Sequence, residues 1–127
     1  MAKPAPGTTL AQQVAAYGID KMQRQILLCA GPDCVEMAAG EAAWAYLKKR
    51  HAELKLSAAP HLVYRTRCAC LRVCMQGPIL VVQPDGVWYH SATPAVIERI
   101  LVEHVLGGRV VTEFAFAQAP LQKITSC

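Results

Sequence analysis

The stretch PILVVQPDGVWYHSATPAVIERILVEHVLGG, residues 78–108, contains the elements that decide the fold. Its apolar start ends in the turn sequence Pro-Asp-Gly, and VWYH follows, so the first half predicts a β-hairpin. Thr93 then precedes Pro94, a pair typical of a helix start, because Thr can cap a helix and Pro fits its first position. An apolar helical face follows, and we expect the helix to end at Gly107 and Gly108.

The residues before this hairpin predict a strand, a helix and a second strand. RQILLC, Arg24 to Cys29, reads as a strand, residues 37–54 are strong helix formers with an apolar face, and HLVYRT, His61 to Thr66, reads as a strand. Such a unit pairs its strands in parallel, whereas the hairpin adds an antiparallel pair. The order predicts an α/β fold of the thioredoxin-like class, a mixed sheet of about four strands with helices packed on it. In that class the loop after the first strand carries the chemistry.

Three regions are expected along the chain. Residues 1–22 form a leader with a possible short helix over Leu10 to Tyr17, residues 23–121 form the domain, and residues 122–127 form a tail. RVVTEFAFAQAPL, residues 109–121, alternates imperfectly and predicts either a short strand or an extended arm.

Composition narrows the class of protein. A chain of 127 residues suits one compact domain, and it has no apolar run long enough to cross a membrane. The start, MAKPAPGTTLAQQ, lacks the hydrophobic region of a signal peptide, so we expect a cytoplasmic, reducing location. The net charge of +4 forms no dense basic stripe, and no nucleic-acid partner is indicated.

The six cysteines carry the functional signal, because thiols in a reducing compartment serve metals or redox chemistry more often than disulfides. Cys29 and Cys34 form C-x4-C, and Cys70 and Cys74 form C-x3-C. Two pairs of thiolates suit either a tetrahedral zinc ion or a binuclear iron-sulfur cluster. Spacing alone leaves both open, together with free structural cysteines.

Further details favour iron and sulfide. Zinc knuckles prefer the tighter C-x2-C, whereas an elongated two-iron core suits wider pairs. The loop between Cys70 and Pro78 also mixes Leu71, Val73 and Met75 with exposed backbone. Such a loop can exclude water and direct amide hydrogens at sulfur.

The stretch RCACLRVCMQGPILVVQPDGVWYHSATPAVIERILVEHVLGG, residues 67–108, resembles the thioredoxin-like 2Fe-2S ferredoxins nearly position for position. That family has Cys-x3-Cys, a Gly-Pro step, an apolar strand, a Pro-x-Gly turn, a Val-Trp-Tyr strand and a helix opened by Thr-Pro. The resemblance covers residues 27–121 and extends to the cluster domain of the small iron-sulfur subunit of respiratory NADH dehydrogenases.

The resemblance implies a ligand set and a function. Cys29 and Cys34 would bind one iron of a single 2Fe-2S cluster, and Cys70 and Cys74 the other. The protein would be a homodimeric one-electron carrier, not an enzyme, and would exchange electrons with a reductase and an acceptor enzyme.

Two alternatives remain open. The chain could be a cluster-bearing subunit of a larger oxidoreductase, although fewer than thirty residues precede Cys29, which favours the free carrier. It could also be a zinc-binding or cluster-handling module.

The two remaining cysteines are expected to be bystanders. Cys68 lies two residues before Cys70, so in an extended chain both side chains point the same way and Cys68 could substitute for a lost ligand. Cys127 ends the expected tail.

Other polar and aromatic residues receive structural interpretations. His51 and His104 are expected to be packed or hydrogen-bonded. The arginines beside the second cysteine pair would offset cluster charge or bind an acidic redox partner; they are Arg65, Arg67 and Arg72. Trp88 and Tyr89 are expected to pack on the sheet.

Overall fold

A computed structural model describes residues 3–121 of the chain. Its elements are α1 (Leu10–Tyr17), a 3-10 turn (Ile19–Lys21), β1 (Arg24–Cys29), α2 (Met37–Glu53), β2 (Val63–Cys68), β3 (Ile79–Gln83), β4 (Val87–Tyr89), α3 (Pro94–Arg99), a π-helical segment (Ile100–Leu106) that continues α3, and β5 (Ala115–Gln118). The predicted order of elements is confirmed, including the short helix in the leader. No helix within the described range is both long and apolar enough to span a bilayer.

The strands form one mixed sheet in the order β2-β1-β3-β4-β5. β1 and β2 are parallel, and the other neighbours are antiparallel. The sheet has five strands rather than about four, because the segment after the last helix pairs with β4, with Ala117 opposite Trp88. β2 begins at Val63 instead of His61, since Leu62 has a φ of +48° and cannot belong to a strand.

The last helix differs from the prediction in its second half. It begins at Pro94 and stops at Gly107 as expected, but Thr93 makes no side-chain capping bond, and from Ile100 onward the backbone is π-helical. This segment places His104 against Tyr89 of β4.

The two faces of the sheet are unlike. One, the helix face, packs against α2 and α3, and its strand residues include Ile26, Leu28, Leu80, Val82, Val87 and Tyr89. The opposite face, here called the open face, carries the alternate side chains: Gln25, Leu27, Cys29, Tyr64, Thr66, Cys68, Ile79, Val81, Gln83 and Trp88. None of these belongs to the core built with the helices, and none is Asp, Glu, Lys, Arg or His.

A buried polar chain joins the helix face to the turn of the hairpin. The Tyr89 hydroxyl oxygen lies 2.8 Å from His104 Nδ1, and His104 Nε2 lies 2.7 Å from the Asp85 carboxylate. Every group is satisfied when His104 donates from Nε2 to Asp85 and Tyr89 donates to Nδ1, while the Val111 N–H donates to the Tyr89 oxygen. His51 likewise bonds the Val63 carbonyl at 2.7 Å, so both predicted histidine placements are confirmed.

Removing the hydroxyl of Tyr89 therefore tests the importance of this chain. We expect Tyr89→Phe to lower the free energy of unfolding by about 1–3 kcal/mol, because the Val111 N–H and His104 Nδ1 both lose a buried partner. Tyr46→Phe is the matched control, since its acceptor Glu98 keeps two bonds from Arg50. Equal losses for the two variants in urea denaturation would contradict the assignment.

Candidate metal centre

Five cysteines gather at one edge of the sheet. Cys29 is the last residue of β1 and Cys68 the last of β2, and the two are register partners. Cys34 follows β1, and Cys70 and Cys74 follow β2. Because parallel strands end at the same edge, the two loops that carry the predicted ligands meet there.

The first pair is buried and in contact. The sulfur atoms of Cys29 and Cys34 are 3.2 Å apart, and these residues are only 3% and 7% exposed. They pack with Ile79 and Val35 in a small cluster separate from the main core. Burial, followed by the contact with Cys29, raises the pKa of the Cys34 thiol to about 11.

The second pair lies at the surface. Cys70 and Cys74 are both exposed, and a side-chain contact with Cys70 is the main cause that raises the pKa of the Cys74 thiol. The charges of Asp33 and Cys29 raise it further. The Arg72 N–H donates to the Cys70 sulfur at 3.1 Å.

The backbone of the second loop has an unusual alternation. Arg72, Cys74 and Gln76 have φ values of +68°, +57° and +51°, and the intervening Val73 and Met75 do not share this left-handed conformation. Alternation of this kind is typical of the backbone concavities that direct N–H groups at anions in phosphate and iron-sulfur sites. The loop therefore presents backbone donors together with its two thiols.

Two glycines hold the loops in place. Gly77 donates its N–H to the Cys34 carbonyl at 2.8 Å, and a Cβ atom there would lie 2.8 Å from the Cys34 sulfur. Gly40 of α2 passes so close to the Ala30 carbonyl that a Cβ atom would overlap it. Both close approaches exclude any larger residue.

The arrangement of thiols fits a two-iron group. The thiols form one buried pair and one exposed pair, and a binuclear cluster takes two thiolates on each iron. Backbone donors beside the exposed pair can stabilise the negative charge of such a group.

The predicted ligands are thus brought together, and Cys127 lies outside the described residues. Cys68, expected to be a bystander, is half-buried among the other thiols. Burial raises its pKa, as do the neighbouring Cys29 and Cys70. Strand register, which the sequence does not reveal, places it there. The Gly77-Pro78 peptide bond is cis.

The three arginines near the second cysteine pair differ in whether other side chains already engage them. Arg67 forms an ion pair with Glu41 of α2 at 2.6 Å, and the Arg65 guanidinium lies 5.2 Å from the Trp44 ring centre. Arg72 is exposed. The Glu41 partner had no sequence signal, because 26 residues separate it from Arg67.

Comparison with known proteins gives consistent results. The chain is 33% identical over 95 residues to a protein of Priestia megaterium named as a 2Fe-2S ferredoxin. The aligned region covers 75% of this chain and 71% of that protein. It is 29% identical over 85 residues to a 2Fe-2S ferredoxin of Aquifex aeolicus. That aligned region covers 67% of this chain and 74% of the relative. No protein-family model matches.

The fold comparison agrees with the sequence comparison. The solved structure of a thioredoxin-like 2Fe-2S ferredoxin from Aquifex aeolicus superposes with a TM-score of 0.64 at 22% identity. The match covers 81% of this chain and 99% of that one. The predicted thioredoxin-like fold is confirmed.

The contact between Gly77 and Cys34 can be tested without any cofactor. We expect Gly77→Ala to increase the rate at which N-ethylmaleimide alkylates Cys34, because the added methyl group must displace that buried side chain. Peptide mass spectrometry measures the rate at each cysteine. Ser57→Ala is the control, since Ser57 is exposed and lies between α2 and β2, outside both cysteine loops. An unchanged rate at Cys34 would contradict the role given to Gly77.

Proposed function

The chain belongs to the 2Fe-2S ferredoxin family, and we propose on this premise that it is a one-electron carrier whose single cluster is held by Cys29, Cys34, Cys70 and Cys74. The observation that carries the ligand assignment is the meeting of one buried and one exposed thiol pair at one edge of the sheet. When bound, the cluster supplies a one-electron couple.

The residues around the site have separate tasks in this proposal. Cys29 and Cys34 anchor the inner side, and Ile79 and Val35 keep water from it. The Arg72 N–H bond to Cys70 lowers the cost of added negative charge on the outer side. Access for the electron is then through the exposed pair.

We propose that its partners are redox proteins: a reductase that donates the electron and an enzyme that accepts it. The exposed rim beside Cys74 is the proposed contact, and Met75, 60% exposed, supplies apolar area there. Arg72 adds a cation suited to an acidic partner. The chain itself would catalyse no reaction and would act in the cytoplasm, where its thiols stay reduced.

A homodimer is the proposed assembly, and the open face is its proposed interface. None of the strand residues named for that face is charged. Ile79 and Val81 are already buried within one chain, so the available area lies at the rim, where Phe116 is 45% exposed and makes an edge contact with Trp88, with ring centres 6.4 Å apart.

Anaerobic reconstitution with iron and sulfide tests the carrier function. We expect two iron and two sulfide per chain, a red-brown colour and a rhombic electron paramagnetic resonance signal on reduction. Cys34→Ala should lose the cluster, because it removes one buried thiolate. A colourless protein with one zinc per chain would contradict the proposal, and stable isolation with a flavoprotein would instead favour a subunit role.

Analytical ultracentrifugation tests the interface. We expect Phe116→Arg to shift the protein from dimer to monomer, because it places a charge beside the uncharged open face. Val102→Arg is the matched control, with 43% exposure against 45% for Phe116, and lies in the π-helical segment. A dimer in both variants would place the interface elsewhere, and a monomeric parent would exclude the assembly.

A further inference from the structure

Cys68 is a fifth thiol at the proposed cluster site, and four ligands leave it without a role. It ends β2, is the register partner of Cys29 and points from the same open face. It packs with Cys29, Cys34 and Ile79 in the small cluster under the loops. Its position is therefore set by the sheet, not by a mobile segment.

Cys68 also lies beside the exposed pair. Cys70 follows it by two residues, just after β2 ends, so one short stretch of chain carries both thiols toward the same edge. Cys68 thus stands between the buried thiol of Cys29 and the exposed thiol of Cys70. Cys74 lies six residues after Cys68 in the chain, and the thiol in contact with it is that of Cys70.

We propose that Cys68 is a reserve ligand that replaces Cys70 on the iron shared with Cys74. The inference rests on the proposed function. In the exchange, the bond from iron to the Cys70 sulfur breaks and one to the Cys68 sulfur forms. Cys68 releases its proton and Cys70 takes one up, so the number of thiolates and the net charge stay the same.

The position of Cys70 explains why this ligand is the replaceable one. Cys29 is held within the sheet between β2 and β3, and Cys34 is fixed by the Gly77 contact. Cys70 lies in a loop and is exposed, so a proton from water can reach its sulfur when the bond to iron breaks. The reserve thiol is half-buried at the end of a strand, so it is less exposed than the ligand it would replace.

The test compares alanine variants, which cannot bind iron through the changed residue, all in a Cys127→Ser background. After reconstitution, we expect Cys70→Ala to keep iron and sulfide within about twofold of the parent, with altered circular dichroism and paramagnetic resonance spectra. Cys74→Ala, the matched control on the same iron, and the Cys68→Ala/Cys70→Ala double variant should each hold roughly tenfold less iron. In Cys70→Ala, Cys68 should react with N-ethylmaleimide more slowly when the protein is loaded than when it lacks the cluster.

Each other result overturns the proposal in a distinct way. Equal iron loss in Cys70→Ala and in the double variant would show that Cys68 does not substitute, and equal retention would assign the ligand to another group. Loss of iron in Cys68→Ala alone would make Cys68 a resident ligand. In these cases the parent still carries its cluster and the carrier function stands, whereas a parent without iron and sulfide would refute that function itself.

Discussion

The absence of a side chain at Gly77 is the constraint on which the site depends. Gly77 can approach Cys34 closely enough to donate to its carbonyl only because no Cβ atom intervenes. This contact joins a loop that follows β1 to a loop that follows β2, two segments more than forty residues apart in sequence. Without it, the sheet would still bring the loops to one edge but would not fix the distance between the two thiol pairs.

The two pairs differ in environment more than in residue type. One is held among apolar side chains, and the other is exposed beside backbone donors. A site with one buried and one exposed side can keep water from part of the cofactor and still leave a short route to the surface. These two requirements of an electron carrier oppose each other, and the structure assigns them to different loops.

The sequence predicts the order of elements well, and it supplies the ligand candidates that the structure brings to one edge of the sheet, because both are read from local signals. The Pro-Asp-Gly turn, the Thr93-Pro94 start and the cysteine spacings are each read within a few residues. The sequence does not decide whether residues 109–121 form a strand or an extended arm. The fifth strand forms because it pairs with β4, not because its own residues alternate. Strand register sets the neighbour of Cys68, and tertiary contacts set the partner of Arg67 and the left-handed residues of the loop. No local sequence pattern predicts these three features.

Within residues 3–121, the main core contains no cysteine. Its members come from the helix face, α2 and the last helix, and the thiols pack in a separate, smaller cluster. We therefore expect the scaffold to fold without the cofactor, unlike small zinc domains, where metal binding and folding coincide. A chain that folds before it binds its cofactor would expose Cys70 and Cys74 and keep Cys29 and Cys34 buried, so iron and sulfide would have to enter from the exposed side.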